Sequence, residues 1–176
     1  RWNDILMDLH GMQRRGTQTA TQLGALNPQM QDAASKLKLA QDVPAAVKTQ
    51  FDGLMKEFDA VRVKFGVGPS GDTAAAAAAA GGRGGRGGGG RGAGGGGAGG
   101  RGGGAGSDAD LVARASAVKT AIAGIWESPS DAMMKRYTDV KAALPAAIAE
   151  ANAFVAKATA FAPTLKRYGI ELNVPK

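Results

Sequence analysis

Nineteen of the 26 positions from 81 to 106 are glycine, and the other seven are Arg83, Arg86, Arg91, Arg101 and three alanines. A segment with almost no apolar side chains buries too little surface to offset the entropy lost on ordering, so it cannot build a core. The 176-residue chain is thereby split. Whatever folds must come from residues 1–66 and 107–176, with 67–106 as an Ala/Gly/Arg-rich low-complexity linker, disordered or extended. Charge divides in the same way. Removing the four tract arginines from the 22 basic residues leaves 18 against 15 acidic ones, so the net +7 falls to +3. The outer blocks are close to balanced and offer no strong field for a polyanion.

Both outer blocks read as helical. Val47, Phe51, Leu54, Phe58, Val61 and Phe65 recur at steps of four and three, which places them on one face of a helix over 44–66. Asp42 is expected to cap it and Pro44 to occupy an early helical position. In the second block, Ser107 and Asp110 have the spacing of a capping box, followed by Leu111, Ala115, Val118, Ile122 and Ile125 on one face. Ser128-Pro129-Ser130-Asp131 then supplies a cap, a proline for the first helical position and a carboxylate for the first turn. The last helix should bury Tyr137, Val140, Leu144, Ile148, Ala151, Val155 and Leu165, bend at Pro145 and Pro163, and stop at Gly169. Residues 1–40 repeat the pattern through Trp2, Leu6, Leu9, Ala20 and Leu23. Gly16-Thr17-Gln18-Thr19 has poor helix propensity and Asn27-Pro28 looks like a fresh start, so a break or kink is expected there. The terminal run Ile170 to Val174 alternates without a partner run.

The fold class that follows is all-α: two helical hairpins, 1–66 and 107–176, packed as an antiparallel bundle of about four helices across the linker. The expected order is long, short, linker, short, long. Periodicity leaves open whether the short helices lie side by side or end to end.

Chemistry is sparse. With no cysteine, disulfides, thiolate ligands and cysteine nucleophiles are excluded. His10 is the sole histidine, and Asp4, Asp8 and His10 supply too few ligands on one face for zinc. The glycine spacings of the tract follow no strand, so they make no dinucleotide fingerprint. Asp42, Glu57, Asp59, Asp108, Asp110, Glu127, Asp131 and Glu150 fall at caps or on polar faces. No catalytic residue, cofactor or metal is expected. Three Arg-Gly-Gly triplets (at 83, 86 and 101) have the composition of RNA-binding segments, which makes Arg83, Arg86, Arg91 and Arg101 the candidate polyanion contacts. No aromatic residue lies between Phe65 and Trp126 to stack on bases, so nucleic acid is the weaker reading and a spacer the stronger one. Trp126 is expected to plug one end of the bundle. No apolar run approaches the ~20 residues of a membrane span. The chain opens on Arg1 rather than Met, so a processed or excised piece is expected.

Several stretches resemble a bacterial group. They are Asp8 to Arg15, Val118 to Asp131, Tyr137, Leu144-Pro145, Ala151-Asn152-Ala153-Phe154, Tyr168-Gly169-Ile170 and Val174-Pro175. The group comprises large secreted proteins described as sortilin-like or glycosyl-hydrolase-like, built from Asp-box β-propellers with a helical C-terminal region. The resemblance spans roughly 130 residues and leaves out the Gly/Arg tract. Carbohydrate chemistry in that group belongs to the propellers, and no Ser-x-Asp-x-Gly-x-Thr-Trp turn occurs here. The resemblance therefore implies no catalytic residue. It implies an extracytoplasmic setting and a helical module that packs on an upstream propeller, on another surface protein or on a second copy of itself.

Overall fold

The computed structural model describes residues 2–68, 110–125 and 128–174. Among them are four helices, α1 (Trp2–Leu39), α2 (Ala45–Lys64), α3 (Leu111–Ala123) and α4 (Asp131–Lys166), and no strand. The Gly/Arg tract, Ser107, Asp108, Trp126 and Glu127 lie outside the described residues, as does the side chain of Trp2.

Side-chain contacts fix the directions of the rods. Phe51 faces Phe161 with ring centroids 6.3 Å apart, Phe58 faces Phe154 at 5.3 Å, and Lys64 pairs with Glu150, so α2 and α4 are antiparallel. Val112 lies over Gly16 while Lys119 reaches His10 and Gln13, so α3 runs against α1. Asp8 bonds Tyr137 and Gly16 faces Leu144, so α1 and α4 run in the same direction. The two short helices therefore follow one another, end to end, along the seam between the long ones. Any cross-section of the bundle cuts three rods. At ~1.5 Å per residue, the 20 and 13 residues of α2 and α3 add up to about 50 Å, close to the ~57 Å of α1. At ~20 Å, α3 is shorter than the ~30 Å of a helix running from Ser107 to Ile125.

One continuous core runs the length of these rods. Leu9, Leu23, Leu26, Met30, Phe51, Phe58, Phe65, Ile122, Val140, Leu144, Phe154 and Leu165 are its large, fully enclosed members. Burying each is worth about 1.5–3 kcal/mol. That scale explains why α1 is unbroken where its sequence predicts a kink. Gly and Pro cost about 1 and 3 kcal/mol in a helix interior, yet Pro28 sits inside α1, flanked by the buried Leu26 and Met30. Gly16 belongs to the packing itself: a Cβ there would come within 2.8 Å of a Val112 methyl. Thr19, in the stretch of poor helix propensity, donates to the carbonyl of Arg15 four residues earlier, and Thr21 does the same to Thr17, so both hydroxyls are satisfied within the helix.

The helix starts differ in detail from expectation. Asp42 does not cap α2: Pro44 is the residue before the helix, with φ −56° and ψ 142°, and no side chain caps it. Its carbonyl accepts the first N–H groups, from Val47 and Lys48. Asp110 is the cap of α3 rather than the third residue of a box, and its Oδ1 accepts from the N–H groups of Val112 and Ala113 at 2.9 and 3.0 Å. Ser130, not Ser128, caps α4, so Pro129 precedes the helix instead of opening it. α4 continues through Pro145 and Pro163.

Two helix ends share one device. At α2, Val67 N–H donates to Arg62 C=O and Gly66 N–H to Val63 C=O; at α4, Ile170 donates to Leu165 and Gly169 to Lys166. Gly66 and Gly169 take φ of 65° and 73°, the left-handed turn this closure needs. Val67 and Ile170 then fold back into the core, and Leu172 follows, so the alternating C-terminal run docks on the bundle without pairing as a strand.

Candidate interaction surface

The sequence-derived polyanion contacts, Arg83, Arg86, Arg91 and Arg101, lie outside the described residues. Asp4, Asp8 and His10 do not converge. His10 is exposed, with its Nδ1 3.3 Å from Lys119 Nζ, and Asp8 turns to α4. Among the described residues no group of three His, Cys, Asp or Glu side chains could hold a metal ion.

Asp8, Tyr137 and Lys141 make the densest polar cluster. The Tyr137 hydroxyl donates to Asp8 Oδ2 at 2.6 Å, Lys141 Nζ lies 2.8 Å from the same oxygen, and Nζ donates to the phenol oxygen at 3.0 Å. Nζ sits 5.3 Å from the ring centroid, so it addresses the oxygen more closely than the ring face. The Lys141 ammonium, then the Tyr137 hydroxyl, hold the Asp8 carboxyl below its ordinary 3.8. Burial, then the bond to Asp8, push Tyr137 above 10.0, and the bond to Asp8 raises Lys141 above 10.5. Every shift drives its group further into the form it already has at neutral pH. Acid–base chemistry at pH 7 calls for the opposite. The cluster ties α1 to α4.

Other polar contacts tie helices together or brace their ends. Lys157 Nζ bonds both carboxylate oxygens of Glu57, at 3.1 and 2.9 Å, and Lys64 pairs with Glu150, joining α2 to α4. Arg62 holds Asp59 at 2.6 Å and donates to the Val67 carbonyl, bracing the turn at Gly66. Lys48 Nζ donates to the Ala40 carbonyl beyond the end of α1.

The described chain leaves the bundle at Gly68 and returns at Asp110, and these two points are neighbours. The space a side chain on Gly66 would occupy is taken by the Asp110 carboxylate. Asp110 is 4% exposed, so one carboxylate both caps α3 and fills the notch at the end of α2.

The α3 surface is of a different character. Leu111–Ala123 contains Arg114 and Lys119 and no acidic residue. A groove of 570 Å³ on its α4 side is lined by Arg114, Ala117, Val118, Ala121, Met133, Arg136 and Val140. A second, of 400 Å³, on its α1 side is lined by His10, Gln13, Arg14, Thr17, Gln18 and Lys119. None of the ion pairs among the described residues involves Arg14, Arg114, Lys119 or Arg136. This cationic surface had no signature in the sequence, because its arginines come from three helices and line two grooves that exist only when α3 packs. No helix is long and apolar enough to cross a membrane among the described residues. No family model, curated protein or solved structure matches the chain.

Proposed function

We propose that this chain is a non-catalytic structural and interaction module, a three-rod helical support that carries the Gly/Arg segment as an insert in its middle rod. The observation that carries the reading is the contact of Asp110 with Gly66. A fold that brings the two ends of a long insert together is complete without it, and so can display it. The seam polar groups serve the bundle: Asp8, Glu57 and Glu150 each hold a lysine of a neighbouring helix. The resemblance to the helical region of secreted propeller proteins supports an extracytoplasmic setting, with the bundle packing on a larger body or on a copy of itself. Replacing 69–109 by a short Gly/Ser loop tests the reading. Helicity and the melting transition should persist, and collapse of either would sink it.

A second reading is favoured by the three Arg-Gly-Gly triplets: weak polyanion binding through Arg83, Arg86, Arg91 and Arg101. It requires RNA binding that falls steeply with salt and vanishes when these four arginines become glutamine. RNA binding unaltered by that change would remove it.

A further inference from the structure

We infer that the α3–α4 groove is a docking site for an acidic amphipathic helix of a partner polypeptide, laid along α3 as a fourth rod. The inference rests on the reading of the chain as an interaction module, and names where and with what it interacts. Three observations converge on one occupant.

The floor of the groove is apolar, formed by Val118 and Val140 with Met133 at one end. Its α3 wall uses Arg114, Val118 and Ala121, and its α4 wall Met133, Arg136 and Val140. Each wall is thus a stripe spanning about two helical turns, roughly 10 Å. This is the shape into which the apolar side of a helix fits.

The charge is one-sided. At the seams of α4 with α1 and α2, Lys64, Lys141 and Lys157 each meet a carboxylate of the facing helix, whereas, among the described residues, Lys119 meets only His10 and Gln13 across the α1–α3 seam. At the α3–α4 seam two arginines face the groove, and none of the ion pairs among the described residues engages them. Their planar forks match carboxylates in pairs. Arg14 and Lys119 lie on the opposite flank of α3 and add the same sign, so the potential over the whole face favours an acidic occupant.

Other occupants fit less well. The chain's own insert brings Arg83, Arg86, Arg91 and Arg101, of like charge to the groove. A two-fold pairing of this face with itself would oppose arginine to arginine. A nucleic acid would find the guanidinium groups but also an apolar floor with no aromatic side chain among the described lining residues to stack on.

The test uses the full chain and two synthetic helical peptides of about four turns. Both carry the same apolar stripe at i, i+3, i+4 and i+7; one is flanked by Glu and the other by Lys. The Glu peptide should bind and shift the methyl signals of Ala117, Ala121 and Val118. Arg114→Glu with Arg136→Glu should weaken that binding at least about tenfold and make the Lys peptide the better ligand. The milder pair Arg114→Gln with Arg136→Gln gives an intermediate loss in a protein of unchanged helicity, which covers the case where charge reversal disturbs packing. Failure of the Glu peptide to bind at millimolar concentration, or equal binding of the two peptides, overturns the inference. So does an oligo-uridine that shifts these methyls when the peptide does not, or a dimer in sedimentation that closes the groove. The loop-replacement experiment reads the support role separately. A bundle that survives it while ignoring both peptides loses this site and keeps the broader reading.

Discussion

The Asp110 carboxylate occupies the space where a side chain on Gly66 would stand. Through that contact the end of α2 and the start of α3 become one joint, although 43 residues separate them in the chain. Gly66 is doubly constrained, by its left-handed φ of 65° and by Asp110. Gly169 shares the φ, at 73°, but has nothing within 4 Å of its missing Cβ. Gly169→Ala should therefore cost only the conformational penalty, about 1–2 kcal/mol. Gly66→Ala should cost about 2–4 kcal/mol, because it also dislodges the carboxylate that caps α3. Urea unfolding of the two variants measures the difference. Equal costs would show that the contact contributes nothing.

The same joint governs what happens when the insert is shortened. Composition predicts a loose linker over 67–106, and closing a loop of about 40 residues costs more entropy than closing a short one. Replacing it with about six Gly/Ser residues should raise stability by about 1–2 kcal/mol by the logarithmic dependence on loop length. The helical circular dichroism should lose no more than the removed residues contribute. A fall in melting temperature would mean that the insert contributes packing.

The parts of this fold that could be read from sequence are those governed by a single helix. Phe51, Leu54, Phe58 and Val61 form the buried face of α2 as their spacing predicts, with Phe65 buried just past its end and Val47 only half-buried. Leu111, Ala115, Val118 and Ile122 form that of α3, while Ile125 lies beyond it and is half-buried. On α4, Tyr137, Val140, Leu144, Ala151 and Leu165 are buried, whereas Ile148 and Val155 sit at the margin and Phe154 takes the central place. The signal for Phe154 was present: Ala147, Ala151, Phe154 and Ala158 advance by four, three and four. Small alanines concealed it. Caps slipped by two or three residues, at Asp110 and Ser130, because several cap-competent residues stand together and the seam register selects among them. The unbroken α1 and the α3 groove were not legible for another reason. Gly16 is explained by Val112 and Leu144, and Arg114 comes to share a groove with Arg136, only through contacts between helices.

Gly16 offers a direct measurement of that tertiary effect. In an isolated helix Gly→Ala gains about 1 kcal/mol. Here the added methyl would come within 2.8 Å of Val112 Cγ2, tighter than van der Waals contact allows. Gly16→Ala alone should be neutral or destabilising by up to about 2 kcal/mol, the usual range for overpacking. In a Val112→Ala background the obstacle is gone, so the same change should be stabilising by about 0.5–1 kcal/mol. Thermal melts of the four proteins in this cycle give the sign directly. The same effect in both backgrounds would show that α3 does not rest on α1 at this point.

The cluster of Asp8, Tyr137 and Lys141 should leave its mark on the pH dependence of stability. Asp8 titrates lower in the folded protein than its ordinary 3.8, so its contribution is present above that pH and is lost as acid reaches its folded value. Tyr137 and Lys141 titrate higher than 10.0 and 10.5, so their contribution is complete below pH 10 and is lost as alkali passes their raised values. The pair Asp8→Asn and Tyr137→Phe isolates the central hydrogen bond, because each removes one partner and leaves the helix faces intact. Asp8 is one-third exposed, and solvent weakens the bond accordingly. A double-mutant cycle at pH 7 should give a coupling of about 0.5–1 kcal/mol. That coupling should shrink as acid passes the lowered folded value of Asp8, where the carboxyl becomes protonated and Asp resembles Asn, and again as alkali passes the raised value of Tyr137. A coupling independent of pH across this range would mean that Tyr137 and Asp8 are neighbours by packing alone, and that the link between α1 and α4 resides in the apolar seam of Leu9, Val140 and Leu144.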